Sequence, residues 1–134
     1  KNINFNFNYN YSDTYDGADC DDPNVGATSC IDESMVRVPR HSWSTSINYS
    51  KNKLSHSLSL KFSDEVRDYG NANNSFKDVI LEEYYLADYN LNYTINNYSD
   101  FYFNLENIFD ENYEQAFMYS SIPRSFNLGY ISKF

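Results

Sequence analysis

Long apolar runs, glycine, proline and positive charge are all scarce in this chain of 134 residues. Its apolar runs are only a few residues long, far short of the ~20 that a membrane-spanning helix needs. Four Gly and three Pro argue against a collagen-like or linker composition. Ten Lys and Arg against 19 Asp and Glu leave a net charge of −9, the wrong sign for a protein that binds nucleic acid. We therefore expect no nucleic-acid partner.

Catalytic signatures are also missing from the sequence. There is no Gly-rich phosphate loop, no G-x-S-x-G motif, and no His with a plausible acid–base partner. His41 lies beside the start of a predicted strand, and His56 falls on the apolar side of the next one, so both suit a membrane interface better than catalysis. We predict that the chain is not an enzyme and requires no cofactor.

Aromatic residues and asparagine are abundant: 14 Tyr, 10 Phe and 19 Asn. Disordered chains are poor in aromatic residues, so simple disorder is excluded. The aromatic residues follow a period of two, which is typical of strands with one apolar face. The first segment places Ile3, Phe5, Phe7, Tyr9 and Tyr11 at odd positions, with Asn at each even position up to 10. Similar alternation runs over about 42–49, 54–62, 85–95, 100–106 and 125–134. The pattern predicts six strands and no helix.

The predicted connections alternate between long and short, as in an up-and-down meander. Residues 12–37, 67–79 and 112–123 form long connections, whereas 50–53 and 96–99 form short ones. Long strands, an aromatic face, an Asn- and Ser-rich opposite face and this loop asymmetry are typical of a transmembrane β-barrel wall. The alternative is a soluble β-sheet whose aromatic face packs on a partner. Since the smallest membrane barrels have about eight strands, six cannot close one. We therefore expect a piece of a larger barrel.

Three short motifs resemble one family when they are taken together and in order. Residues 105–114 (LENIFDENYE) resemble the N-L-F-D-x-x-Y signature in the penultimate strand of TonB-dependent outer-membrane receptors. Residues 122–130 (IPRSFNLGY) resemble that family's P-G-R approach to its C-terminus, and 38–42 (VPRHS) resemble its x-P-x-H start of an earlier strand. The motif residues here are Asn107, Phe109, Asp110, Tyr113 and Arg124. Two departures are Pro123, where Gly often precedes Arg, and Ser132, two positions before the final Phe134.

The resemblance implies that residues 1–134 are the last six strands of a barrel with about 22 strands, without the plug domain or the earlier strands. It implies an outer-membrane location and active uptake of a scarce, bulky nutrient such as a ferric siderophore or cobalamin. The implied partners are membrane lipid, the barrel-insertion machinery, the small-molecule ligand, and the TonB complex acting through the missing plug. The alternatives are a soluble or surface-exposed β-sheet binding module and a porin-like barrel without a plug. The absence of Met and of an apolar leader at Lys1 also leads us to expect a truncated chain.

The end of the chain carries the family's expected assembly signal. Its residues are Phe126, Leu128, Tyr130 and Phe134. The last strand must be recognised during insertion and must pair with the first strand, because an open edge is not tolerated in lipid. Alternatively, Phe134 is only an interfacial anchor within an aromatic girdle.

An acidic segment lies between the first two strands. Residues 13–33 hold seven acidic side chains and no Lys or Arg. Cys20 and Cys30 lie in this segment and are either disulfide-bonded, as an oxidising compartment favours, or free thiols. Asp16, Asp19, Asp21 and Asp22 offer closely spaced oxygen ligands that suit Ca²⁺. Contact with an imported ligand and a merely solvated loop are the two other interpretations.

The calcium hypothesis predicts that chelation loosens this segment. Removing Ca²⁺ from the complete protein should speed proteolytic cleavage within residues 16–33, because a loop whose carboxylates share a cation is ordered by that cation. Cleavage fragments can be mapped by mass spectrometry, with Mg²⁺ added back as the control. A cleavage rate unchanged by chelation would leave the solvated loop as the interpretation.

Overall fold

The computed structural model describes residues 2–14, 35–72 and 75–134, and these residues form strands, turns and irregular segments without a helix. The strands are β1 (Asn2–Tyr11), β2 (His41–Lys51), β3 (Leu54–Ser63), β4 (Val66–Ala72), β5 (Ser75–Leu81), β6 (Tyr84–Asn96), β7 (Ser99–Glu106), β8 (Glu114–Ala116), β9 (Tyr119–Ser120) and β10 (Ser125–Ser132). Within the described ranges, no helix is long and apolar enough to cross a membrane.

Six of these strands form one antiparallel sheet in the order β1-β2-β3-β6-β7-β10. Each strand pairs with the next long strand along the chain, so the sheet is an up-and-down meander. The six long strands and their meander order were predicted from the alternation, and both are confirmed. β1 and β10 lie at the two edges of this sheet.

The register brings residues of one kind together on each face of the sheet. One row across the six strands is Phe5, Ile47, Leu58, Tyr89, Leu105 and Phe126. The adjacent row, on the opposite face, is Asn4, Asn48, Ser57, Asn90, Asn104 and Asn127. Because successive side chains of a strand point to opposite faces, the sheet has an apolar face and a polar face.

The apolar face is not covered by any other part of the described chain. Phe5 is 65% exposed and Phe126 is 71% exposed. Among the described residues, the buried apolar side chains are only Leu81, Tyr84 and Ala87, and these lie towards one end of the sheet. The described chain therefore has almost no hydrophobic core of its own.

The connections differ sharply in length at the two ends of the sheet, as predicted. Tight turns at residues 52–53 and 97–98 join strands at one end. The connections 12–40, 64–83 and 107–124 all leave and rejoin the sheet at the other end, which we call the loop end. Asn52 has a positive φ of 53°, a conformation that Asn tolerates well in a tight turn.

One detail of the predicted connections is wrong. Residues 67–79 were expected to form an irregular loop, but β4 and β5 form a hairpin there, with Val66 paired to Leu81. Leu81, at the base of the hairpin, is 4% exposed, so this part of the connection is buried rather than solvated. A second, smaller hairpin, β8–β9, lies within the third long connection.

A glycine in the last strand lets an aromatic ring lie on the backbone. Gly129 pairs with Tyr102 on the polar face, and a Cβ added at Gly129 would lie 2.3–2.6 Å from atoms of the Tyr102 ring and hydroxyl. Any larger residue would displace this ring. The Tyr102 ring therefore covers the gap that glycine leaves in the edge strand β10.

Candidate functional site

The three long connections meet at one buried carboxylate, that of Asp68 in β4, which is 1% exposed. Its Oδ2 accepts a hydrogen bond from the backbone N–H of Phe117, in the third connection, at 2.7 Å. Its Oδ1 accepts from the Tyr69 N–H at 2.8 Å and from Nε of Arg37, in the first connection, at 2.9 Å. We call these four residues the loop junction. One side chain thereby joins three segments that are far apart in sequence.

Further contacts hold the same segments together. The Arg37 N–H donates to the Arg67 carbonyl at 2.8 Å, and Arg37 adopts a positive φ of 60°. Gly70 is buried, and an added Cβ would lie 2.5 Å from Val79 Cγ2 and 3.1 Å from the Phe117 ring. The absence of a side chain at Gly70 therefore allows the β8–β9 hairpin to approach the β4–β5 hairpin closely.

The loop junction favours the ionised form of Asp68. Burial opposes ionisation, but the hydrogen bonds from Phe117 and Tyr69 and the charge of Arg37 outweigh it, so the pKa of Asp68 lies below its ordinary value of 3.8. At neutral pH this carboxylate is charged and holds all three connections.

The family motif forms a compact turn at the same end of the sheet. Asn107 is 5% exposed and has a positive φ of 49°. Its Nδ2 donates to the carbonyls of Glu111, at 2.9 Å, and Ile122, at 3.2 Å, while its Oδ1 accepts from the Glu111 N–H at 2.9 Å. Its own N–H donates to Asp88 Oδ1 at 2.9 Å. Asn107 thus connects the end of β7 with β6 and with the approach to β10.

Asp110 and Arg124 close this turn. The Arg124 N–H donates to Asp110 Oδ1 at 3.0 Å, and the guanidinium lies 3.5 Å from Asp110 Oδ2. Arg124 Nη1 also donates to the Ile108 carbonyl at 3.4 Å. The two parts of the motif, 107–113 and 122–130, are therefore in direct contact, and their contacts are structural.

Aromatic side chains line the polar face just below these turns. The rings of Tyr84 and Tyr113 lie 4.5 Å apart, and Gln115 Nε2 donates to the Tyr84 hydroxyl at 3.5 Å. Burial raises the pKa of Tyr113, with smaller contributions from Tyr84 and the Asp88 charge, so its phenol stays protonated. Tyr113 and Asp88 line a cleft of about 270 Å³.

A second cleft, of about 350 Å³, lies beside the first at the loop end. Its lining includes Ser42, Lys61, Ser63 and Tyr84 from the sheet, together with Arg37 and Glu114 from the connections. The side chains of both clefts carry hydroxyls, charges and phenol rings, which suit reversible binding of a polar ligand. Of the residues that line the two clefts, Asn107 and Tyr113 were singled out from the sequence, whereas Arg37, Lys61 and Tyr84 were not.

The remaining predicted residues are dispersed. Phe109 is 61% exposed at the motif turn. Phe126, Leu128 and Tyr130 lie on the apolar face of β10. Phe134 was expected on the last strand, but β10 ends at Ser132, so Phe134 lies beyond the strand as a fully exposed side chain. The last residue of β10 that pairs with a neighbouring strand is therefore Ser132, not Phe134.

The two histidines lie at opposite ends of the apolar face, each beside tyrosines. His41 Nδ1 is 2.8 Å from the Tyr9 hydroxyl, and His56 Nδ1 forms a hydrogen bond with the Tyr89 hydroxyl. The interfacial location expected for both histidines stays a prediction. Cys20, Cys30, Asp16, Asp19, Asp21 and Asp22 lie outside the described residues, so the disulfide and calcium hypotheses stay predictions. Among the residues that the structure does describe, no cluster of three His, Cys, Asp or Glu side chains could hold a metal ion.

Comparison with solved structures identifies this architecture. The ferric-catecholate import receptor Fiu of E. coli K12 in its closed form superposes with a TM-score of 0.65 at 23% identity, over 76% of this chain and 15% of Fiu. The pyoverdine outer-membrane receptor FpvA of Pseudomonas aeruginosa PAO1, bound to pyoverdine, gives 0.66 at 19% identity, over 79% of this chain and 17% of FpvA. The complex of FpvAI with pyocin S2 gives 0.65 at 18% identity, over 74% of this chain and 14% of the receptor. No family model and no curated protein matches the chain.

The chain has the fold of a segment of barrel wall from TonB-dependent outer-membrane receptors. The predicted resemblance and fold class are confirmed at the level of the fold, and the neighbours that share this fold are outer-membrane receptors. The chain spans about 15% of the length of the receptors it resembles. The neighbours are receptors, one of them described as an import receptor, rather than enzymes.

The loop junction predicts a sharp effect of one substitution. In Asp68→Asn, an amide replaces the charged acceptor, so the bonds from Arg37 and Phe117 should weaken, at a cost of about 1.5–3 kcal/mol. The exchange protection of the Phe117 amide should then fall by about tenfold or more at neutral pH. Glu65→Gln, which removes an exposed carboxylate from the same connection, is the control and should leave protection unchanged.

Lowering the pH should reduce the exchange protection of the Phe117 amide in the unmodified chain, as Asp68→Asn does at neutral pH. Because the folded pKa of Asp68 is lower than 3.8, its contribution is fully present above that value and is lost as the pH falls through the folded pKa. As the pH falls below 3.8 and through the lower folded pKa, the wild-type protection should therefore decrease and approach that of Asp68→Asn. Equal protection of wild type and variant at neutral pH would contradict the role assigned to this carboxylate.

Proposed function

We propose that this chain is the C-terminal barrel wall and part of the extracellular surface of a TonB-dependent receptor that imports a ferric siderophore across the outer membrane. The observation that carries the proposal is the six-stranded meander with three long connections at one end, matched to siderophore receptors at TM-scores of 0.65–0.66. Cobalamin, the other nutrient implied by the resemblance, has no such support among these neighbours.

The exposed apolar face supports placement in a bilayer. A soluble module would need to bury residues such as Phe5 and Phe126, yet the described chain offers nothing to cover them. Lipid removes this cost, while the Asn and Ser side chains of the polar face suit a hydrated barrel interior. The soluble binding module is therefore the weaker alternative.

The unpaired edges support membership of a larger barrel. Backbone groups along β1 and β10 would each cost several kcal/mol in hydrocarbon if left without partners. Earlier strands of a longer chain would pair with both edges and close the barrel. A plug within that barrel, drawn by TonB, would distinguish such a receptor from a porin-like channel.

The loop end supports ligand capture without covalent chemistry. Arg37, Lys61, Tyr84 and Tyr113 offer charge, hydrogen bonds and aromatic surface but no nucleophile–base pair. By analogy, the neighbours' ligands include pyoverdine, and FpvAI also forms a complex with pyocin S2. We assign this chain a small-molecule ligand of the siderophore class.

Iron uptake tests this proposal in the organism that encodes the chain. Disrupting the gene should abolish energy-dependent uptake of one ferric siderophore under iron limitation, and the product should fractionate with the outer membrane. A protonophore should stop uptake while leaving surface binding intact, because TonB acts through the proton motive force. Uptake that persists without that force would indicate a porin-like channel, and a product in the soluble fraction would indicate a binding module.

Phe134 tests the proposed contact with the insertion machinery. Phe134→Ser in the complete receptor should lower the amount of folded barrel in the outer membrane several-fold, without changing ligand affinity per receptor. Heat-modifiable mobility of the folded barrel on gels gives the amount. The reason is that an assembly signal acts before folding, whereas the ligand site lies at the opposite end of the sheet.

Tyr98→Ser is the matched control for this variant. Tyr98 is a 66% exposed aromatic residue in the turn at the same end of the sheet as Phe134. If Phe134 is only one anchor in an aromatic girdle, the two variants should reduce the amount of barrel equally. Equal reductions, or normal levels of Phe134→Ser, would remove the assembly role.

A further inference from the structure

A single cation stands on the polar face of the sheet. Lys61 is the only Lys or Arg among the polar-face positions of the six described long strands. All the remaining positions of that face on β1, β2 and β3 are Asn or Ser. Among the described polar-face positions, Asp88, Asp100 and Glu106 of β6 and β7 carry negative charge, so Lys61 is the one positively charged point of this face and the one place on it that attracts an anion.

The Lys61 ammonium lies against an aromatic ring rather than a carboxylate. Its Nζ lies 5.8 Å from the centroid of the Tyr84 ring, a cation–π arrangement. Within the described ranges, no Asp or Glu forms an ion pair with it. Lys61 therefore retains its hydrogen-bond donors for a partner outside the described chain.

Arg37 stands across the same cleft in a fixed position. Its backbone is held by the Arg67 carbonyl and its Nε by Asp68, yet its side chain remains 57% exposed. Only Nε is engaged by Asp68, so the terminal amino groups can donate elsewhere. Because the guanidinium is already ordered, binding a ligand would cost it little conformational entropy.

The floor of the cleft adds an aromatic surface and neutral donors. Tyr84 is 7% exposed and is fixed by Tyr113 and Gln115. Ser42 and Ser63, which face each other across β2 and β3, supply hydroxyls. Glu114 is the one carboxylate in the lining and repels an anion, but the two cations Lys61 and Arg37 outnumber it.

We propose that this cleft is an anion-binding subsite for the imported ligand, in which Lys61 directly contacts carboxylate or catecholate oxygens and Arg37 provides a second, pre-positioned donor. The assignment rests on the proposed receptor function and adds the charge of the ligand to it. The cleft opens among the three connections, on the side from which the ligand would arrive.

Binding to the complete receptor in detergent tests this subsite. Two probes are compared by fluorescence quenching: the trianionic ferric tris-catecholate complex and a neutral ferric tris-hydroxamate. Lys61→Met should weaken binding of the anionic complex by about tenfold to a hundredfold, the usual loss for a hydrogen bond to a charged group. Binding of the neutral complex should be unchanged, and added salt should weaken only the anionic complex.

Two further variants separate charge from packing. Lys61→Arg keeps the positive charge and should retain most of the affinity for the anionic complex. Lys51→Met removes an exposed lysine at the other end of the sheet and should have no effect. If Lys61→Met and wild type bind the anionic complex equally, the subsite assignment is wrong.

The remaining outcomes distinguish the two proposals. Equal weakening of both probes by Lys61→Met would mean that Lys61 holds another segment of the receptor in place, which overturns the subsite but not the receptor function. A wild-type receptor that takes up iron complexes but prefers the neutral probe also overturns the subsite alone. A protein that supports no iron uptake and binds neither probe overturns the proposed function itself.

Discussion

The register between neighbouring strands is the constraint on which the rest of this structure depends. A slip of one residue in any pair would turn the Asn and Ser side chains of that strand to the apolar face. In the observed register, the row from Phe5 to Phe126 and the row from Asn4 to Asn127 each cross all six strands on one face. The same register places Ser42, Ser63 and Tyr84 side by side at the loop end, so the cleft is a consequence of strand pairing.

Order at the loop end comes from buried polar groups rather than from a hydrophobic core. Asp68 and Asn107 are each almost fully buried; Asp68 accepts hydrogen bonds from the two other connections, and the side chain of Asn107 bonds to Glu111 and Ile122 within its own connection. A buried polar group without partners is costly, so each of these side chains selects the one arrangement that supplies its hydrogen bonds. Few apolar side chains are needed to hold the connections together, which agrees with the three that are buried among the residues the structure describes.

Alternation predicted the sheet, the two tight turns and the loop end because each depends on residues close in sequence. The loop junction could not be predicted in this way: Asp68 lies in a stretch interpreted as a loop, and its partners are 31 and 49 positions away. The motif residues Asn107 and Arg124 were identified by resemblance, but their partners follow from backbone turns with positive φ that no periodicity indicates. Lys61 was not singled out from the sequence, since its significance depends on which residues surround it in the fold.

Arg37 connects the loop junction to the anion-binding subsite. Withdrawing its guanidinium from Asp68 would leave a buried carboxylate with only its two backbone donors, a costly arrangement. A ligand that displaced Arg37 would therefore bind weakly and loosen all three connections. A ligand that accepts hydrogen bonds from the terminal amino groups of Arg37 leaves the contact between Nε and Asp68 intact. Arg37 then binds the ligand as a second cation beside Lys61, and the loop junction is undisturbed. The geometry thus favours an anion bound between Lys61 and an Arg37 that remains paired with Asp68.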